Sequence, residues 1–167
     1  LLGTENGPYS LDAGLSILLE AMHLTSPKFD LNQIGQGLYT ENEIKLINNM
    51  ANCYIRAGHH YDAIDILKPL FRYLQVNLKN IPPNRAQIPM VAFNYARELE
   101  IVKRYDDAIE IAEYAKKICI DYGVYTSLSG ILMILAECYY HLEDFEKSIE
   151  LYRQSYYLFK IIEDDRN

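Results

Sequence analysis

Tryptophan is absent from this chain, and cysteine occurs three times in 167 residues. The cysteines, Cys53, Cys119 and Cys138, are odd in number and form no CxxC pair. A disulfide-stabilised scaffold needs a denser, even set, so that class is excluded. The three are read as buried thiols behaving as small apolar residues, which fits a reducing compartment and a cytoplasmic protein. No apolar run approaches the roughly 18 residues of a membrane span; Ile131 to Ala136 is far too short. No basic cluster followed by an apolar segment stands at the start, so no secretory signal is read there. The chain opens Leu1-Leu2-Gly3 without an initiator Met, as a segment of a longer protein would. Positive charge is scarce: 16 Lys and Arg face 23 Asp and Glu, a net charge of -7. A nucleic-acid binder gains affinity by neutralising phosphates, and an anionic membrane asks for the same, so direct contact with either is disfavoured.

Catalytic signatures are missing too. There is no P-loop, GxGxxG, GxSxG or HExxH. The expectation is a non-enzyme with no cofactor and no metal. His59 and His60 are adjacent, so on a helix they point about 100° apart and cannot chelate one ion well. Asp106-Asp107 and Asp164-Asp165 read as solvated helix ends.

What is present is repetition. Three segments align: Ala51-Asn52-Cys53-Tyr54 through Ala63-Ile64-Asp65-Ile66, Ala96-Arg97-Glu98-Leu99 through Ala108-Ile109-Glu110-Ile111, and Ala136-Glu137-Cys138-Tyr139 through Ser148-Ile149-Glu150-Leu151. In each, two small residues stand 12 apart. Antiparallel helices joined by a short turn approach closely only where both carry small side chains. Tyr105 and Phe145 precede the second small residue by three and share its face. Gly58 suits a positive φ at a helix end. Asp144 suits an N-cap.

These residues resemble the tetratricopeptide repeat (TPR), over roughly residues 40–160. The repeats are offset by 45 and then 40 residues rather than 34, and His60 stands where the other two have an aromatic. The period alone would suit HEAT or armadillo repeats; the 12-residue spacing favours TPR-like hairpins with lengthened helices. The resulting expectation is an all-α, right-handed solenoid of TPR-like antiparallel hairpins with about seven or eight helices. It forms a single domain over 1–167: a partial leading hairpin, 1–39, then repeats at about 40–79, 84–122 and 124–164. Helices are expected at Leu11–His23, Thr40–Ala57 (Thr40 and Glu43 forming a capping box), Tyr61–Leu78 with a kink at Pro69, 84/89–Val102, Tyr105–Tyr122, Tyr125–His141 and Asp144–Ile162. A short helix is expected over Leu31–Leu38. Pro82 and Pro83 mark a break between hairpins over Asn80–Asn84. No stretch alternates with period two, so no sheet is expected.

The first helix of the first repeat carries a polar stripe: Lys45, Asn48, Asn49, Asn52 and Arg56. Ile44, Ile47, Ala51 and Tyr54 take the packing face. In a stacked array the first helices line the inner surface. An Asn amide donates and accepts, so it can satisfy a peptide backbone without reading side chains. Asn has weaker helix propensity than Lys or Glu, so plain solubility would not select it; the competing explanation is an ordinary solvated helix face. Asn94 and Arg97 match in the second repeat, and Met90, Met133, Glu137, Tyr140 and His141 complete the candidate peptide- or partner-binding set. A carboxylate clamp for chaperone tails is incomplete: Asn52 and Asn94 fit, but Asn48, Gly130 and Ile134 stand where basic residues belong. Fifteen tyrosines, with Tyr139, Tyr140, Tyr152, Tyr156 and Tyr157 crowding the last hairpin, serve either packing or an interface. Tyr156, Tyr157, Phe159 and Ile162 lack a following repeat to cover them, which motivates a homodimer.

In overall pattern the chain resembles the Rgg- and PlcR-type peptide-sensing regulators. That resemblance implies a C-terminal sensor and dimerisation module that takes a short peptide in its groove and serves quorum sensing as part of a transcriptional regulator. DNA binding would fall to a separate N-terminal helix-turn-helix region. The alternative is a TPR adaptor docking a folded partner, unconnected with transcription.

Overall fold

A computed structural model describes residues 10–77 and 87–164. Seven α-helices are present among them, with no strand: α1 (Leu11–Thr25), α2 (Glu41–Arg56), α3 (His60–Asn77), α4 (Gln87–Ile101), α5 (Tyr105–Tyr122), α6 (Leu128–His141) and α7 (Phe145–Asp164). The expected break at Asn80–Asn84 lies outside the described residues, as does Asp165. Two compact units divide the chain, Leu1–Tyr73 and Leu74–Asn167, and the division falls within α3. That helix continues through Pro69.

In the first unit, α1 packs on α2. Thr40 and Glu43 close the expected capping box. Glu43 does more than cap. Its Oε1 accepts from the hydroxyls of Thr25 (2.8 Å) and Ser26 (2.6 Å), its Oε2 from the Thr40 N–H (2.7 Å) and hydroxyl (2.8 Å). One buried carboxylate thus ties the end of α1 to the start of α2. The Ser26 bond leads the interactions that hold it down to about 2, against the opposing cost of burial. The short helix expected over Leu31–Leu38 is only a 3-10 turn, Leu31–Gln33. Asp30 caps it by accepting from the Asn32 N–H, and Gly35 at φ +99° ends it.

In the second unit α4 packs on α5, α5 on α6, and α6 on both α7 and α4. The paired small residues of every repeat are buried: Ala51, Ala63, Ala96, Ala108, Ala136 and Ser148. In the last hairpin the contact is direct, since the Ser148 hydroxyl donates to the Ala136 carbonyl at 2.8 Å. Serine replaces alanine there without stranding its hydroxyl. Between α4 and α6 the limit is tighter still: a Cβ on Gly130 would meet the Phe93 ring at 2.8 Å.

The three hairpin turns share one geometry. Gly58, Lys103 and Glu143, offset by 45 and 40 residues like the alanines, all have left-handed φ of 77°, 63° and 63°. In each, the next N–H reaches a carbonyl five residues back: His59 to Tyr54, Arg104 to Leu99, Asp144 to Tyr139, at 2.8–2.9 Å. This is the Schellman closure, in which a left-handed residue lets the chain satisfy orphan carbonyls. Glycine flags it in the first turn only. Asp144 then caps α7, accepting from the Lys147 N–H. α6 starts at Leu128 rather than Tyr125, after a turn through 125–127.

Candidate functional site

On α2, Ile44, Ile47 and Ala51 take the core face, and Tyr54 is half-buried. The polar stripe separates into different fates. Lys45 pairs with Glu41 at 2.8 Å, both partly exposed. Asn49 is exposed and accepts from the Asn52 amide at 3.4 Å. Arg56 is exposed. Asn48 is 2% exposed and engaged within the fold, so its amide does not face solvent as the stripe suggested. It lies one turn from Ile44 and Ala51, on the flank of the stripe nearest the core.

On the second unit the candidates converge. α4 carries Met90, Asn94 and Arg97; α6 carries Met133, Glu137, Tyr140 and His141. Met90 and Asn94 are half-buried, while Met133, Tyr140 and His141 are exposed. Arg97 Nη1 donates to Glu137 Oε2 at 2.6 Å across the two helices. It also lies 3.4 Å from Glu100 Oε2, too poorly aligned to bond; that oxygen is buried and receives no hydrogen bond among the described residues. His141 Nε2 is 3.9 Å from Glu100 Oε1, and its ring stacks on Tyr105 with centroids 4.9 Å apart. Burial raises the Glu100 carboxyl above its ordinary range; Arg97 opposes that and Glu137 reinforces it. Burial likewise pushes the Cys138 thiol up to about 12, with Glu100 and Glu137 adding to it. This thiol is a packing group. Among the described residues, no set of three or more His, Cys, Asp or Glu is placed to hold a metal.

Chemically this surface offers a guanidinium fixed by one of its nitrogens, two carboxylates, an imidazole on an aromatic plate and exposed Met and Tyr side chains. Such a surface suits hydrogen bonding and apolar contact with an extended chain. Glu100 and Tyr105 were not on the sequence-derived list. Glu100 resembles any solvated helix charge in sequence, and only the Arg97 spacing of three hinted at it.

No family model matches the chain, and no curated protein matches it in sequence. Solved structures do match. Bacillus thuringiensis PlcR, solved with the peptide PapR7 and DNA, superposes with a TM-score of 0.70 at 20% identity, over 89% of this chain and 50% of PlcR. The chain therefore spans about half the length of PlcR. A kinesin-light-chain-type protein of nearly identical TPR-like repeats from Podosopora anserina matches with a TM-score of 0.65 at 13% identity, over 92% and 69%. BtubC from P. vanneervenii matches with 0.67 at 18%, over 92% and 58%. No helix among the described residues is long and apolar enough to cross a membrane. The fold is thus that of the TPR-like helical-repeat proteins, and PlcR is among the proteins that share it.

Proposed function

We propose that this chain is a binding module rather than an enzyme: the peptide-sensing and dimerisation part of a cytoplasmic bacterial transcriptional regulator that serves quorum sensing. The observation that carries the reading is the α4–α6 surface, where Arg97, Glu137, Glu100 and His141 meet beside Asn94, Met133 and Tyr140, on a fold shared with a protein solved with a peptide bound. Arg97 is already oriented by Glu137, so little of its rotamer entropy is left to lose on binding. The exposed Asn49 and the half-buried Asn52 on α2 offer backbone-matching amides on the first unit. At a net charge of -7 the chain leaves DNA contact to a separate helix-turn-helix region. Kinship to kinesin-light-chain-type repeats supports a second reading, a scaffold docking a folded partner.

The test is calorimetric titration against pooled synthetic heptapeptides. Binding is expected, with at least a tenfold loss in Arg97→Ala and in Asn94→Ala (about 1.4 kcal/mol). No binding by any pool, or equal binding by Asn52→Ala, Asn94→Ala and Arg97→Ala, would overturn the peptide reading and leave the scaffold reading.

A further inference from the structure

Helix α7 has two apolar faces, and the described residues cover one of them. Its inner face packs on α6, burying Ser148 and Leu151 and half-burying Ser155, Leu158 and Ile162. Beside it run Phe145, Ile149, Tyr152, Tyr156 and Phe159, spaced by four, three, four and three residues and 40–57% exposed. An average spacing of about 3.5 is the seam of helix packed on helix. Forty residues earlier, α5 has Tyr105, Ile109, Ala112, Lys116 and Cys119 at the same places, and there α6 lies against it. Ala112 and Cys119 are buried, Ile109 and Lys116 half-buried, and Tyr105 stacks on His141 of α6. By the repeat's own logic the α7 stripe is a face built to receive a helix.

We propose that the helix it receives is α7 of a second copy, antiparallel, with Phe145, Ile149, Tyr152, Tyr156 and Phe159 in the seam and Glu146 beside Lys160 of the partner subunit. This rests on the dimeric reading above and names its surface. Charge selects the orientation. The flank of the stripe carries Glu146, Arg153 and Lys160 at seven-residue spacing, all exposed. Parallel pairing would put the two charged flanks on opposite sides of the seam, where Glu146 and Lys160 of one copy reach neither charge of the other. Antiparallel pairing sets Glu146 near Lys160 twice and leaves only Arg153 close to its own copy. Lys160 already leans along the stripe, with Nζ 5.3 Å from the Tyr156 ring centroid. Five side chains of roughly 200 Å² each, about half exposed, supply about 500 Å² per copy, near the 1,000 Å² total at which specific interfaces begin. The pairing is therefore weak and sensitive to single charges.

Sedimentation equilibrium on the whole chain tests it, with circular dichroism to confirm helicity. Ile149→Glu, on an exposed face, is expected to stay folded and run as a monomer. Lys160→Glu and Glu146→Lys are each expected to weaken the dimer about tenfold at low salt, since both reverse two flanking pairs. Mixing those two variants in equal amounts restores dimerisation, because each supplies the other's missing sign; parallel pairing predicts no such rescue. A wild-type dimer indifferent to all three variants would overturn the seam while leaving dimerisation intact. A wild-type monomer at about 100 µM, the upper range for weak dimers, would overturn both, and neither outcome bears on the peptide titration.

Discussion

The two units treat buried polarity and backbone strain in opposite ways. In the first, Glu43 is buried and fully bonded, its four acceptor contacts coming from Thr25, Ser26 and Thr40, and the left-handed turn residue is Gly58. In the second, Glu100 keeps a buried oxygen without a hydrogen bond among the described residues, as do both amide atoms of Gln87, and the equivalent turn positions are Lys103 and Glu143. A buried acceptor without a donor and a left-handed non-glycine residue each cost free energy. The first unit's glutamate is a joint between helices. The second unit's glutamate keeps an oxygen that a donor or a proton would still satisfy, so it is less of a structural joint.

Removing Glu43 should do the most harm. Glu43→Ala strands three hydroxyls and an N–H and is expected to cost about 3 kcal/mol in urea unfolding, whereas a loss under about 1 would mean the α1–α2 tie is ornamental. Acid should reach the same bond. The folded Glu43 carboxyl is held near 2 against an ordinary 4.5. A depressed acid stabilises above its unfolded pKa and loses that contribution as pH falls, so about 3 kcal/mol should disappear between pH 5 and 2 in wild type and not in Glu43→Gln. Third, Gly58→Ala is expected to cost about 1–2 kcal/mol, because a side chain at that φ crowds the following carbonyl. The same reasoning reverses at Lys103. Lys103→Gly should stabilise by about 0.5 kcal/mol, relief of strain being partly offset by glycine's freedom in the unfolded chain. The smallest effect is expected at Glu100. Its pKa is raised, chiefly by burial, so ionisation opposes folding as pH rises above the unfolded value; Glu100→Gln should leave stability at pH 7 unchanged or slightly higher, and flatten the pH dependence there. A large loss would show that Glu100 is as structural as Glu43.

Much of the fold was legible because it is periodic. The alanines 12 apart, the Thr40–Glu43 box and Gly58 each report a local requirement that few residues satisfy, and the helices fall within a few residues of their expected limits. Tyr105–Tyr122 coincides in both. Where a local rule was broken the sequence misled or was silent. Lys103 and Glu143 sit in left-handed turns that their identities do not announce. Leu31–Leu38 has apolar spacing, yet Gly35 and Gly37 keep it from becoming more than one 3-10 turn. For the candidate site, the helices and the exposed Tyr140, His141 and Met133 were readable. The burial of Asn48 and the recruitment of Glu100 were not, because a position on the edge of a helix face is decided by the neighbouring helix.

By itself the sequence determined the helices, their pairing into hairpins and the acidity that disfavours nucleic acid, since each follows from side-chain size, spacing or charge within a short stretch. Tertiary structure alone decided which charges meet. Arg97 and Glu137 are 40 residues apart and touch at 2.6 Å only because α4 and α6 lie side by side. It also decided which of α7's two apolar faces is filled: composition cannot distinguish them, because coverage depends on where the next helix packs and not on the residues of α7.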